Sequence, residues 1–161
     1  MFKISHLRGQ GATEYLVLLA VVLIIALVSI ALLGFFPGLA SDAKITQSAS
    51  YWQGEARPFR ILEGAHTGAD GKLILVLQNV ESTGTFTLTA INLTYANGSG
   101  YGYTTALSFA PGETKNISII GVLGTGTVGS IYELGVNMTY TTPNSLTARQ
   151  FGSKPLVGKY N

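Results

Sequence analysis

From Leu16 to Phe36 the chain runs for 21 residues without a charge, and only the small residues Ser29 and Gly34 interrupt its apolar character. No other feature limits the fold as sharply. At 1.5 Å per residue a helix of this length covers ~30 Å, the thickness of a bilayer's hydrocarbon core. A helix that packs one side against a soluble domain carries a polar stripe, whereas this run is apolar on every face. A removable secretory signal has a shorter apolar region, roughly 7–15 residues, followed by a small-residue cleavage site. Here the run ends in Phe35-Phe36-Pro37-Gly38. Lys3 and Arg8 precede it, which predicts a cytoplasmic N-terminus and places residues 39–161 outside. No second stretch approaches spanning length, so the expectation is a single crossing.

Immediately ahead of the run stands Arg8-Gly9-Gln10-Gly11-Ala12-Thr13-Glu14-Tyr15. Gly9 has no Cβ and offers a protease an unhindered backbone, although a flexible tail glycine would look the same. A carboxylate such as Glu14 costs ~2.5–3.5 kcal/mol toward the centre of a membrane helix and less near the interface. At the rim of the run Glu14 reaches headgroup water. A place in the first turn of a helix would also suit an anion, because the macrodipole favours it there.

The order of these residues resembles the class III signal peptide of archaeal type IV pilin-like proteins. The match rests on the basic residue and glycine, the glutamine after them, Glu14-Tyr15 and the apolar run. The resemblance implies cleavage between Gly9 and Gln10 by a membrane aspartic peptidase, the prepilin peptidase. Residues 1–9 would be a leader, and Glu14 would become the fifth residue of the mature chain. It further implies a helical homopolymer built through the N-terminal helix, with an assembly ATPase and a membrane platform as partners. Gln10 and Glu14 would direct subunit assembly, the Glu14 carboxylate meeting the freed α-amino group of Gln10 on a neighbour. Cyclisation of Gln10 to pyroglutamate would leave Glu14 a neutral donor instead. The function implied is that of a structural subunit of an extracellular adhesion pilus. An archaellin, a minor pilin, or a single-span surface protein with a ligand-binding β head are the alternatives.

Composition narrows the rest. The 161 residues leave room for one domain beyond the helix. There is no cysteine, which excludes disulfides, thiolate metal sites and thiol nucleophiles. Ten basic and eight acidic side chains give a net charge of +2. Lys3 and Arg8 lie in the leader, so a chain cut after Gly9 keeps eight of each and is neutral. The basic balance therefore belongs to the leader and gives no reason to expect a nucleic-acid surface.

The expected organisation is a leader over 1–9, a membrane or filament-core helix over 10–36, a stem and linker over 37–58, and a head over 59–161. Pro37 should kink or restart the helix. Beyond it Leu39, Ile45, Ala49 and Trp52 fall near one face, which suits a stem that packs on the head. Arg57-Pro58 should end any helix. Strands are expected over 73–80 as a buried apolar run, over 85–95 where threonine alternates with apolar residues, and over 104–109, 115–120, 132–140 and 146–151. Asp70-Gly71, Asn97-Gly98 and Pro111-Gly112 supply turn formers. Gly121–Gly129 lacks the lysine and helical pattern of a phosphate loop and reads as a loop or irregular edge. The fold class is α+β: a long N-terminal hydrophobic helix followed by an antiparallel β-sandwich head.

Four N-glycosylation tripeptides occur among seven asparagines, at Asn92, Asn97, Asn116 and Asn137, all in the part expected outside. Asn97, in the polar tip Asn97-Gly98-Ser99-Gly100, is the foremost candidate because a glycan needs exposure. Tyr101-Gly102-Tyr103 reads either as an adhesive aromatic loop or as a hairpin whose tyrosines cover the end of the sheets. Catalysis is not expected. His6 falls in the leader, and His66 reads as surface decoration in a turn. Glu55, Glu63, Glu81, Glu113 and Glu133 stand singly, and no nucleophile motif accompanies them. No cofactor or metal is expected. The precursor would lie in the cell membrane before its head joins a surface filament.

Overall fold

The computed structural model describes residues 7–122 and 126–161. They form an α+β protein, with one long N-terminal helix and two antiparallel sheets. The chain divides into two compact units, Met1–Asp42 and Ala43–Asn161.

Helix α1 spans Leu7–Ser50. It continues through Pro37, so the helix does not restart there. A proline removes one backbone bond and crowds the preceding turn, a local cost that the long hydrogen-bonded ladder around it outweighs. Ser29, the polar interruption of the apolar run, donates its hydroxyl to the Ile25 carbonyl at 2.7 Å. Its polarity is thus satisfied inside the helix, as a lipid environment requires. A single π-helical turn, Tyr51–Glu55, ends the helical stretch. Ala56 is extended, so the helix stops just ahead of Arg57-Pro58, where proline is expected to stop it.

The described residues of the second unit form eight strands. β1 (Phe59–Thr67), β2 (Lys72–Asn79) and β5 (Thr114–Ile119) form a three-stranded sheet in the order β1-β2-β5. β3 (Phe86–Tyr95), β4 (Gly100–Phe109), β6 (Ile131–Thr141), β7 (Thr147–Phe151) and β8 (Leu156–Lys159) form the other. Its order is β4-β3-β6-β7, with β8 also paired to β6. The expected run at 73–80 is an alternating strand: Leu73, Leu75 and Leu77 are buried, while Ile74 and Val76 are half-buried. Leu88, Ile91 and Leu93 from β3, and Leu134, Val136 and Met138 from β6, join them in one apolar core. Phe59 of the first sheet meets Phe109 of the second edge to face, with centroids 5.2 Å apart.

Two buried amides connect segments that no ladder joins. The Gln150 side chain accepts from the Phe59 N–H at 3.0 Å and donates to the Phe59 carbonyl at 2.8 Å. Asn79 donates to the Phe109 and Ala110 carbonyls and accepts from the Glu81 N–H. Each substitutes for missing backbone partners, which keeps a buried polar group from being costly.

Strand β8, which the sequence pattern did not reveal, follows a break over 152–155 that is filled from the helical stretch. Gly152 donates to the Val136 carbonyl at 2.9 Å, and a Cβ there would lie 2.6 Å from the Trp52 ring. Ser48 donates to the Pro155 carbonyl and accepts from the Val157 N–H, each at 2.8 Å. Lys44 pairs with Glu133. Lys44, Ser48 and Trp52 therefore pack this part of the helical stretch on the sheet.

Candidate functional site

The N-terminal helix presents apolar side chains in every direction. From Gly11 to Gly34 all described residues are exposed, including Leu16, Val22, Ile25 and Leu33. An 18-residue window has a mean hydropathy of 3.4, and none of it is buried. This helix is long and apolar enough to cross a membrane.

Gly9 and Gln10 lie in the helical backbone of the uncut chain. Glu14 is exposed at the edge of the apolar run. It is not in the first turn, since α1 begins at Leu7 and carries no acidic residue there. The macrodipole acts over about one turn, so it does not account for the position of Glu14 in the intact chain. Thr13, Val17 and Leu18 surround Glu14 in a shallow surface depression. Residues 1–6, with Lys3 and His6, lie outside the described residues, as do Leu123, Gly124 and Thr125 of the glycine-rich stretch.

The aromatic pair belongs to a strand and not to an exposed loop. Tyr101 and Tyr103 lie on strand β4, half-buried and packed against the core. The Tyr101 hydroxyl donates to the Ile120 carbonyl at 2.7 Å. Alternation along β4 turns both rings inward and puts Gly100, Gly102 and Thr104 outward.

The acceptor asparagines all reach the surface. Asn92, Asn97 and Asn116 are exposed, and Asn137 is half-buried. Asn97 closes a turn, its side-chain oxygen accepting from the Ser99 N–H at 3.0 Å and from the Ser99 hydroxyl at 2.6 Å. The others lie on strands β3, β5 and β6.

His66 is the reverse of surface decoration. It sits on β1 with no exposed surface, its ring 4.7 Å from that of Tyr160 and 5.4 Å from that of Tyr132. Nδ1–H donates weakly to the Thr67 carbonyl at 3.4 Å, and Nε2 has no hydrogen-bond partner among the described residues. Burial lowers its pKa, and the Thr67 carbonyl opposes that only in part. Burial, reinforced by Tyr160, pushes Tyr132 up to about 12. This cluster excludes charge, so it holds the imidazole neutral. A depressed histidine pKa means that the unfolded chain takes up a proton first as pH falls below about 6.5. Head stability should therefore decline from pH 7 to pH 5, and His66→Phe should flatten that decline. Melting temperatures across this range provide the check, and an equal slope in the variant would assign the decline to other groups.

Among the described residues no three histidine, aspartate or glutamate side chains cluster as metal ligands would. No protein-family model and no curated protein matches the chain.

Proposed function

We propose that the chain is a structural subunit of an extracellular archaeal type IV-like adhesion pilus, with a β-sandwich head on a polymerising N-terminal helix. The observation that carries this reading is α1 itself. It is exposed and apolar on all faces from Leu16 to Gly34, with the single carboxylate Glu14 at its lip. Such a surface is stable only in lipid or against other helices like it. The precursor would wait in the membrane with its N-terminus inside. The prepilin peptidase would cut between Gly9 and Gln10, and the assembly ATPase and membrane platform would lift the subunit into the growing fibre.

Moving the helix from lipid to a bundle exchanges one apolar environment for another, so packing and the few polar contacts decide the outcome. Glu14 is the polar contact available. In a dry filament core its charge needs a partner, and the α-amino group of Gln10 on the next subunit would provide one. The heads would form the outer sheath. Among the rivals, the membrane-anchored binder shares the helix but needs no cleavage before Gln10.

The expected mature chain begins at Gln10, as glutamine or as pyroglutamate. Intact-mass analysis of filaments sheared from cells, joined to electron microscopy of the same fraction, tests this directly. Recovery of the chain only from detergent-solubilised membrane, still beginning at Met1, would overturn the pilus reading in favour of a single-span surface protein.

A further inference from the structure

We propose that Asn92 carries an N-linked glycan and that its occupancy excludes modification of Asn137 in the same molecule. This rests on the reading that the head lies outside the cell.

The acceptor tripeptide Asn92-Leu93-Thr94 lies within β3 with Leu93 buried in the core. Because strand side chains alternate between faces, Asn92 and Thr94 both point outward. Asn137-Met138-Thr139 on β6 has the same arrangement, with Met138 buried. Register then brings the two acceptors together: Asn92 stands directly opposite Asn137. Directly opposed residues of an antiparallel pair have Cβ atoms about 4.5–5.5 Å apart. One sugar chain rooted at either asparagine covers the other.

The neighbours decide which acceptor is used. On its other side Asn137 faces Phe151, a ring 65% exposed. Asn92 faces Gly102 instead, and Thr94 lies between Gly100 and Gly135. These three glycines do not have left-handed backbone angles, so no turn requires them. A Cβ at Gly100 or Gly135 would make only ordinary contacts, the nearest at 3.4 and 3.5 Å. At Gly102 the nearest atom is the Asn92 side-chain oxygen, at 3.3 Å. Glycine weakens a strand interior and is characteristic of places where something approaches the backbone closely. Beyond their mutual contact the two differ on the far side: Asn92 is bordered there by the bare backbone of Gly102, on which the first sugars can lie, and Asn137 by the Phe151 ring.

The transfer requires a lipid-phosphate-linked oligosaccharide and its membrane transferase. The Asn92 Nδ2 forms a bond to the anomeric carbon, the anomeric C–O bond to phosphate breaks, and the lipid phosphate leaves with the electron pair. One Nδ2 proton passes to a base of the transferase.

The test is top-down mass spectrometry with glycopeptide mapping on the full-length chain made in its native host, together with N92Q and N137Q. Expected are one glycan on Asn92 with Asn137 bare, loss of that glycan in N92Q, and its retention in N137Q. Cooperative melting of both variants would show that the fold is intact. A bare Asn92, or both asparagines modified in one molecule, would overturn the proposal. A bare Asn92 on chains recovered from surface filaments overturns it alone. A head accessible only from the cytoplasm overturns the external location as well.

Discussion

Trp52→Ala is expected to destabilise the head by about 3–5 kcal/mol, the usual loss for a buried tryptophan. A domain of this size has roughly 5–15 kcal/mol in total, so the variant should melt far earlier or fail to fold at physiological temperature. Trp52 is 1% exposed and meets Tyr51 edge to face at 5.1 Å. Its ring lies against the Gly152 backbone, where β7 stops. Truncation would leave a hole at the break between β7 and β8 that backbone cannot collapse to fill. Two companions separate packing from chemistry. Gly152→Ala should cost comparably, because the new methyl would meet both the indole and the Val136 carbonyl, each within 2.7 Å. Trp52→Phe should retain most of the stability, since the indole Nε1 has no partner among the described residues and its loss breaks no hydrogen bond. Thermal and urea unfolding of the three variants give the comparison. A shift of only a degree or two in Trp52→Ala would show that the stem does not support the head.

Glu14→Leu is expected to reduce surface filaments by tenfold or more while leaving membrane insertion and cleavage before Gln10 intact. A hydrogen bond between charged groups contributes ~1.5–3 kcal/mol, and each 1.4 kcal/mol is about tenfold in an association constant. The variant helix is more apolar than the original, so retention in the membrane should rise as filaments fall. Glu14→Gln, which keeps hydrogen bonding but loses charge, should fall between. The readout is the ratio of chain in the sheared fraction to processed chain in membranes. Wild-type filament yield from the leucine variant would remove Glu14 from assembly and leave its position as a simple interfacial preference.

The parts of the fold that were legible in the sequence are those governed by local pattern. Threonine alternating with apolar residues over 85–95 became β3, and Arg57-Pro58 closed the helical stretch. Strand β8 was not legible, because Leu156–Lys159 is four residues long and contains Gly158. Its strand character comes from pairing with β6 and from Ser48, which lies more than 100 positions earlier in the chain. Pro37 does not end the helix: one missing donor is a local loss, and helix continuation is a cooperative property of the surrounding turns.

Side-chain roles were harder still. His66 stands between polar and glycine-containing neighbours and looked exposed, yet Tyr132 and Tyr160 reach it from 66 and 94 positions away and enclose it. Tyr101 and Tyr103 read either as an adhesive loop or as a hairpin covering the end of the sheets, and alternation on β4 directed them inward against the core. Asn97 looked the best glycan acceptor by exposure alone. Only register showed Asn92 beside bare glycine backbone and opposite Asn137.

By itself, then, the sequence determined the long apolar helix, the carboxylate at its lip and the antiparallel strand character of the head. These depend on hydropathy, charge and periodicity, which are properties of neighbouring residues along the chain. The tertiary structure alone decided which asparagines confront each other, which histidine is kept neutral and which break in a sheet the tryptophan fills. Those outcomes depend on strand register and on packing between distant segments, where a shift of one residue would turn every side chain to the opposite face.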